Sequence, residues 1–81
     1  MNYDPGKVDE AVLALLWLTS FRETKDRARR AWKGHDWDAL NRLCEQGCIG
    51  DPRSRAKSVM LTEAGAARAE ASFEKLFGRA P

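Results

Sequence analysis

The residues between 36 and 65 constrain the fold most, because two helix caps and a helix-stopping glycine are spaced along them. Asp36 can cap a helix that ends near Gln46, since a carboxylate accepts hydrogen bonds from the free N–H groups of a first turn. Gly47 follows, and glycine most easily adopts the left-handed conformation after a helix. Thr62 offers a second cap. The stretch therefore predicts a helix, a reversal of the chain and, further along, another helix.

The segment between Gly47 and Thr62 has the pattern of a short antiparallel hairpin. Ile49 is expected to start the first strand, and residues 51–54 have turn composition, with proline at the favoured second position. Residues 56–61 alternate with a period of two, as in a half-buried strand. The hairpin is basic, because residues 51–62 hold three basic side chains and one acidic side chain.

Two more helices are expected at the ends of the chain. The first starts at Asp4-Pro5, as N-cap and first helical residue. The last runs from the Thr62 cap, with Glu63 near the positive end of its dipole, to Gly78. Its apolar stripe consists of Ala66, Ala69, Phe73, Leu76 and Phe77.

The first helix carries two apolar stripes on roughly opposite sides, and such a helix is buried on both sides. One stripe consists of Val8, Ala11, Val12, Leu15 and Leu16, and the other of Leu13, Trp17 and Phe21. Either the small domain wraps around this helix or a second subunit covers one face. Both arrangements give the same pattern. We favour the second subunit, in a homodimer formed through the first and last helices.

A further helix is predicted between these elements, capped by Ser20 or Thr24 and continuing to Lys33, with Gly34 as its stop. Its apolar side is thin and consists of Ala28, Ala31 and Trp32. Its other side carries the basic residues Arg22, Lys25, Arg29 and Lys33. This basic stripe is either a solvated surface or one that binds an anionic partner.

Length and charge favour one domain over residues 1–81, in the cytoplasm. The longest apolar run, residues 11–18, is far shorter than the ~20 residues that cross a bilayer, so no membrane association is expected. No cationic segment precedes that run, as a secretory signal would require. The formal net charge is only +2, but residues 22–33 hold six basic and two acidic side chains, a local charge of +4.

The order of residues from the third helix to the last resembles the recognition helix and wing of MarR-type and PadR-type winged-helix regulators. The matching residues are Leu40, Leu43, Gly47, Ile49, Asp51, Arg53, Val59, Leu61, Thr62 and Gly65. The whole chain also resembles a small bacterial family of uncharacterised proteins of this length. The resemblance implies a mainly α fold with a small β-hairpin, a winged helix-turn-helix of about four helices plus a two-stranded wing.

This resemblance implies a DNA-binding module, a candidate transcriptional regulator, with the helix over residues 37–46 in the major groove and the wing against phosphate. Asn41 and Arg42 are then the candidates for base edges. Arg53, Arg55 and Lys57 are the candidates for phosphate contacts from the wing, and Arg29 and Lys33 for a flanking backbone. The expected partner is duplex DNA.

An alternative interpretation is a protein-interaction module with the winged-helix shape and no DNA binding. Asp38 and Glu45 lie on the outward side of the helix over residues 37–46 and would repel a polyanion. Alternating charge of this kind suits a protein partner.

We do not expect an enzyme, a cofactor or a metal site. Cys44 falls on the apolar side of its helix and Cys48 follows the glycine stop, as for small buried side chains. His35 stands between two tryptophans without a nucleophile, glycine-rich loop or carboxylate pair to accompany it.

Overall fold

The computed structural model describes residues 1–25 and 27–80. The elements follow in the order α1 (Pro5–Leu18), β1 (Arg30–Trp32), α2 (Trp37–Glu45), β2 (Ser58–Met60) and α3 (Glu63–Phe77). In the described residues the protein is thus mainly helical, with three helices and one two-stranded antiparallel sheet. The expectation of a mainly α fold with a small antiparallel β component is confirmed.

The predicted caps lie where the sequence indicated. Asp4 accepts hydrogen bonds from the first turn of α1, Asp36 accepts one from Ala39 N, and Thr62 accepts one from Gly65 N. Each carboxylate or hydroxyl satisfies an N–H group that the helix itself leaves free. Gly47 has a φ of 76°, the left-handed conformation that lets the chain reverse after α2.

The core lies between α1, the other two helices and the inner face of the sheet. Leu13 and Leu16, one from each stripe of α1, are both fully buried. They pack in one cluster with Leu40 and Leu43 of α2 and with Val59 of β2. A single chain therefore covers both stripes, as the wrapped arrangement requires, and the homodimer remains a prediction.

The prediction of a helix that ends at Lys33 is wrong. Residue 26 lies outside the described residues, and the others between 20 and 33 form no helix. Phe21 instead makes an isolated antiparallel bridge with Arg30, and residues 30–32 form β1. The physical reason is the thin apolar side, because a helix here would bury little more than Ala31 and Trp32. As a strand, the segment buries Ala31 completely and turns Trp32 outward.

The sheet also differs from the predicted wing. β2 pairs with β1, not with the strand expected at Ile49, and the register places Ala31 opposite Val59 on the core side. Ile49 makes only an isolated antiparallel bridge, with Leu61. Gly50 N then donates to Met60 O at 2.9 Å. The return of the chain towards Thr62 is present, but the paired strands are shorter than predicted.

A close contact joins the end of α2 to the start of α3, and we call residues 47–48 and 61–65 the junction. The Thr62 hydroxyl donates to Gly47 O at 2.6 Å and accepts from Gly65 N at 2.9 Å. Thr62 N donates to Cys48 O at 3.0 Å. A Cβ on Gly65 would overlap the carbonyl of Cys48, so a larger residue does not fit at this approach.

Candidate nucleic-acid interface

Residues 51–57, here called the cationic loop, hold three of the predicted site residues at the surface. Arg53, Arg55 and Lys57 are all exposed. Arg53 Nε lies 3.3 Å from Asp51 Oδ1, in an ion pair that water reaches from both sides. Hydrogen bonds from Arg53, the backbone N–H foremost, hold the pKa of Asp51 below its usual value. Such an exposed pair contributes little stability and leaves the guanidinium accessible.

Lys33, which we predicted to contact a flanking DNA backbone, instead fixes the cationic loop. Its ammonium donates to Pro52 O at 2.7 Å and to Ser54 O at 2.6 Å, while Pro52 is buried. The ammonium also lies 5.9 Å from the centre of the Trp37 ring. Two of its three N–H donors are therefore used inside the protein. The loop is tied down at its start, and its own cations point outward.

Arg42, which we predicted to contact a base edge, forms an ion pair with Asp9 of α1. Arg42 Nε and Nη2 donate to the Asp9 carboxylate over distances of 2.8–3.0 Å. Asp9 is 2% exposed. The hydrogen bond from Arg42 to Asp9 raises the pKa of the guanidinium. The pair joins α1 to α2, so this arginine is engaged within the fold.

Asp9 was missed by the sequence interpretation, although a signal was present. Asp9 precedes Leu13 by four residues and so extends the stripe of Leu13, Trp17 and Phe21. An acid in line with an apolar stripe is expected to need a buried cationic partner. Arg42 is the one Arg or Lys between residues 34 and 50, in the stretch that packs on α1.

Asn41, the other residue predicted at a base edge, is exposed on the outer side of α2. Asp38 and Glu45 are exposed on the same helix. Gln46, just after the helix, accepts a hydrogen bond from Arg68 Nη1 at 2.6 Å. With Arg42 held by Asp9, the exposed charges of α2 are acidic.

Arg29, the remaining predicted site residue, is half-buried. Its Nη1 donates to Ser20 Oγ at 3.0 Å, and its guanidinium carbon lies 4.6 Å from the centre of the Trp17 ring. This contact has the geometry of a cation–π interaction. Of the basic stripe predicted with it, Arg22 and Lys25 are exposed.

The sheet presents an exposed surface that the sequence interpretation did not find. This outer sheet face consists of Phe21, Arg30, Trp32, Ser58 and Met60. Trp32 is 58% exposed, Phe21 40% and Met60 38%. Arg30 crosses to β2, where Nε donates to Ser58 Oγ at 2.8 Å and Nη2 to Ser58 O at 2.9 Å. The alternation of Arg30, Ala31 and Trp32 is typical of a strand with one exposed face, but the prediction of a helix in this segment took no account of it.

The cysteines and His35 are the remaining side chains that could take part in chemistry. Cys48 is buried with its sulfur 3.3 Å from Arg68 Nη1, Cys44 is half-buried against the core, and both are free thiols. Burial lowers the pKa of His35. Among residues 1–25 and 27–80, no group of three or more His, Cys, Asp or Glu side chains is arranged to hold a metal ion.

Comparison of the sequence with known proteins places the chain in a family. The family model described as a domain of unknown function, DUF6429, matches residues 4–79. The chain belongs to the DUF6429 family. The "Uncharacterized protein y4hR" of Sinorhizobium fredii (strain NBRC 101917 / NGR234) is 49% identical over 79 residues, which cover 98% of this chain and all of that protein. No solved structure matches the chain.

The DUF6429 match includes every element of the fold, from α1 to α3. The cationic loop and the outer sheet face therefore both lie inside the family region. None of the helices described here is long and apolar enough to cross a membrane.

Proposed function

We propose that this DUF6429 protein is a small DNA-binding module that contacts the phosphate backbone through its cationic loop. The observation that carries the proposal is that Arg53, Arg55 and Lys57 are exposed together on a loop whose base is fixed by Lys33. A fixed backbone lowers the entropy that must be lost when long side chains meet phosphate. A winged-helix relationship and a role in transcription regulation belong to the same proposal.

Support for the winged-helix relationship comes from the order of the elements. α2 ends at a left-handed glycine, and the chain then returns by way of Ile49, the cationic loop and β2 to the cap of α3. In this arrangement α2 takes the place of a recognition helix and the cationic loop that of a wing. A winged helix has a further helix directly before its recognition helix. In this chain β1 occupies that position, because α2 is the one helix between β1 and the cationic loop.

The charges favour affinity over sequence discrimination. Arg42 is held by Asp9, and Asn41 is left between Asp38 and Glu45 on the outer side of α2. Phosphate contacts do not distinguish sequences, whereas base contacts do. We therefore propose binding of duplex DNA with weak sequence preference, in the range of about 10⁻⁴–10⁻⁶ M typical of non-specific binders.

Fluorescence anisotropy with a labelled random-sequence duplex at low salt tests this function. Replacing Arg53, Arg55 and Lys57 together by Ala is expected to weaken binding by at least ~10-fold, since each lost phosphate contact forfeits released counterions. The control variant replaces Lys7, Lys75 and Arg79, which are exposed on α1 and at the end of α3, and changes the net charge equally. It is expected to bind nearly as the wild type. Absence of wild-type binding at ~100 μM protein would refute the proposal.

A protein-interaction module is the second candidate, favoured by the exposed carboxylates of Asp38 and Glu45 beside cationic surfaces. Under this function, changing both acids to Lys disrupts a complex captured from a lysate of the source bacterium, and the cationic-loop variant does so less. Under DNA binding, the same two changes strengthen duplex affinity, because they remove repulsion from the polyanion. Loss of the captured complex without measurable duplex binding supports the interaction module, whereas duplex binding that the two changes strengthen supports DNA binding.

A further inference from the structure

The outer sheet face lies between two cationic segments because β1 and β2 are antiparallel. Residues 27–29 lead into β1 at Arg30, where Met60 ends β2 on the neighbouring strand. The cationic loop leads into β2 at Ser58, which is opposite Trp32 at the other end of β1. Each segment has a net charge of +2. Arg27 also lines a cavity at the Arg30 end of this face, so a polyanion that contacts Arg27 and the cationic loop can pass over the sheet face.

The chemistry of this face suits flat aromatic rings. Trp32 exposes more than half of its surface. The Arg30 guanidinium is fixed by its two hydrogen bonds to Ser58, so its plane has a defined orientation. Unstacked nucleobases bind on aromatic rings and on arginine planes.

A small cavity at the Arg30 end extends the same surface. It has a volume of about 250 Å³. Phe21, Ala28 and Met60 form its apolar walls, and Glu23, Arg27 and Arg30 supply polar groups. Drug-sized ligands occupy sites of roughly 300–1,000 Å³, so this cavity suits a single flat ring. Arg27 and Arg30 can attract a neighbouring phosphate, and Glu23 can accept a hydrogen bond from an exocyclic amine.

We propose that the outer sheet face binds unpaired bases of single-stranded nucleic acid, with one base stacked on Trp32 and a neighbouring base in the cavity between Phe21 and Met60. The inference rests on the proposed function, since the cationic loop supplies phosphate contacts to both duplex and single strand. Trp32 and Arg30 are two residues apart on a strand, about 6.6 Å at 3.3 Å per residue. That separation is about twice the 3.4 Å rise of stacked bases, so it suits two bases that are splayed apart from each other.

Two other occupants fit the face less well. Paired bases in a duplex are stacked on their neighbours and cannot offer a ring face to Trp32. A second copy of the chain would bring its own residues 27–29 and cationic loop close to those of the first copy. The like charges would then oppose a dimer through this face.

The test compares anisotropy titrations of labelled unstructured DNA and RNA oligonucleotides with those of a duplex of equal length. The wild type is expected to prefer at least one single strand to the duplex. Trp32→Ala is expected to lower single-strand affinity by about 5- to 150-fold, the effect of losing one stacked base, and to leave duplex affinity unchanged. Trp32→Phe keeps an aromatic ring and is expected to retain most of the affinity.

Tyr3→Ala is the matched control, because Tyr3 is 58% exposed, as Trp32 is, but precedes α1 and lies outside the outer sheet face. It is expected to leave single-strand affinity unchanged, and thermal unfolding of each variant verifies that it is folded. The inference is overturned if Trp32→Ala binds single strands like the wild type, or if it weakens duplex binding equally. It is also overturned if Trp32→Ala converts a dimer to a monomer in sedimentation without changing strand affinity. Loop-dependent duplex binding without single-strand preference removes this inference alone, whereas absence of all binding removes the proposed function too.

Discussion

The junction and the cationic loop both lie within residues 47–65, but the junction is closely packed and the side chains of the loop face solvent. At the junction the backbones of Cys48 and Gly65 are in contact, and the Thr62 hydroxyl both donates and accepts a hydrogen bond. On the cationic loop, the side chains of Arg55 and Lys57 make no hydrogen bond or ion pair with other described residues, although Lys57 O accepts from Lys33 N at 3.2 Å. Residues that determine the fold and residues available to a ligand are therefore separate, and substitutions should affect either stability or binding.

The same separation divides the basic residues. Arg29, Lys33 and Arg42 have acceptors inside the protein, on Ser20, the loop carbonyls and Asp9. Arg53, Arg55 and Lys57 face solvent. Arg53, Arg55 and Lys57 are thus better candidates for phosphate contacts than the three basic residues whose side chains are engaged inside the protein.

The largest effect on stability is expected at the junction. Gly65→Ala places a methyl group on the Cys48 carbonyl and forces α3 away from the end of α2, at a cost of about 3 kcal/mol or more in the free energy of unfolding. Gly34→Ala is the control, because a Cβ there meets no atom within 4 Å. That change is expected to stay within ~0.5 kcal/mol. Urea denaturation measures both, and equal stabilities would show that the junction is not closely packed.

A smaller loss is expected where Asp9 holds Arg42. Asp9→Asn keeps the shape but removes the charge from a buried hydrogen-bonded group, which costs about 1.5–3 kcal/mol. Glu10→Gln is the neighbouring control, because Glu10 pairs at the surface with Lys75 at 3.0 Å and such pairs contribute at most ~1 kcal/mol. Thermal unfolding of the two variants measures the difference. A Glu10 variant as unstable as the Asp9 variant would contradict the assignment of Arg42 to the fold.

The smallest stability effect is expected from His35, with a defined dependence on pH. Burial lowers the pKa of His35, so the unfolded chain binds a proton more readily than the folded protein. This contribution to stability is complete above the ordinary histidine pKa of 6.5 and is lost as the pH falls below it. In urea denaturation between pH 5 and pH 8, His35→Gln is expected to reduce the decline towards acid. An unchanged pH profile would show that His35 is not the group responsible.

Local sequence patterns predicted those parts of the fold that depend on local chemistry. Asp4, Asp36, Gly47 and Thr62 act through hydrogen bonds or φ angles within a few residues, and all four lie as predicted. The helix before Lys33 was wrong because β1 gains its stability from pairing with β2, which is distant in sequence. A short segment with few apolar residues does not reveal that pairing.

The candidate site was only partly predictable for a related reason. The exposure of Arg53, Arg55 and Lys57 follows from a polar turn at the surface, which composition indicates. The positions of Arg42 and Lys33 depend on acceptors in other elements, Asp9 and the carbonyls of Pro52 and Ser54. The outer sheet face could be found only once β1 was known to be a strand.

The salt dependence of duplex binding, compared between the wild type and the variant with Arg53, Arg55 and Lys57 changed to Ala, tests the central claim most directly. Each neutralised phosphate contributes about −0.9 to the slope of log affinity against log salt concentration. Three loop contacts therefore predict a variant slope that is less steep than the wild-type slope by about 2.7. Identical slopes would contradict the account, because they would mean that the loop cations release no counterions from DNA.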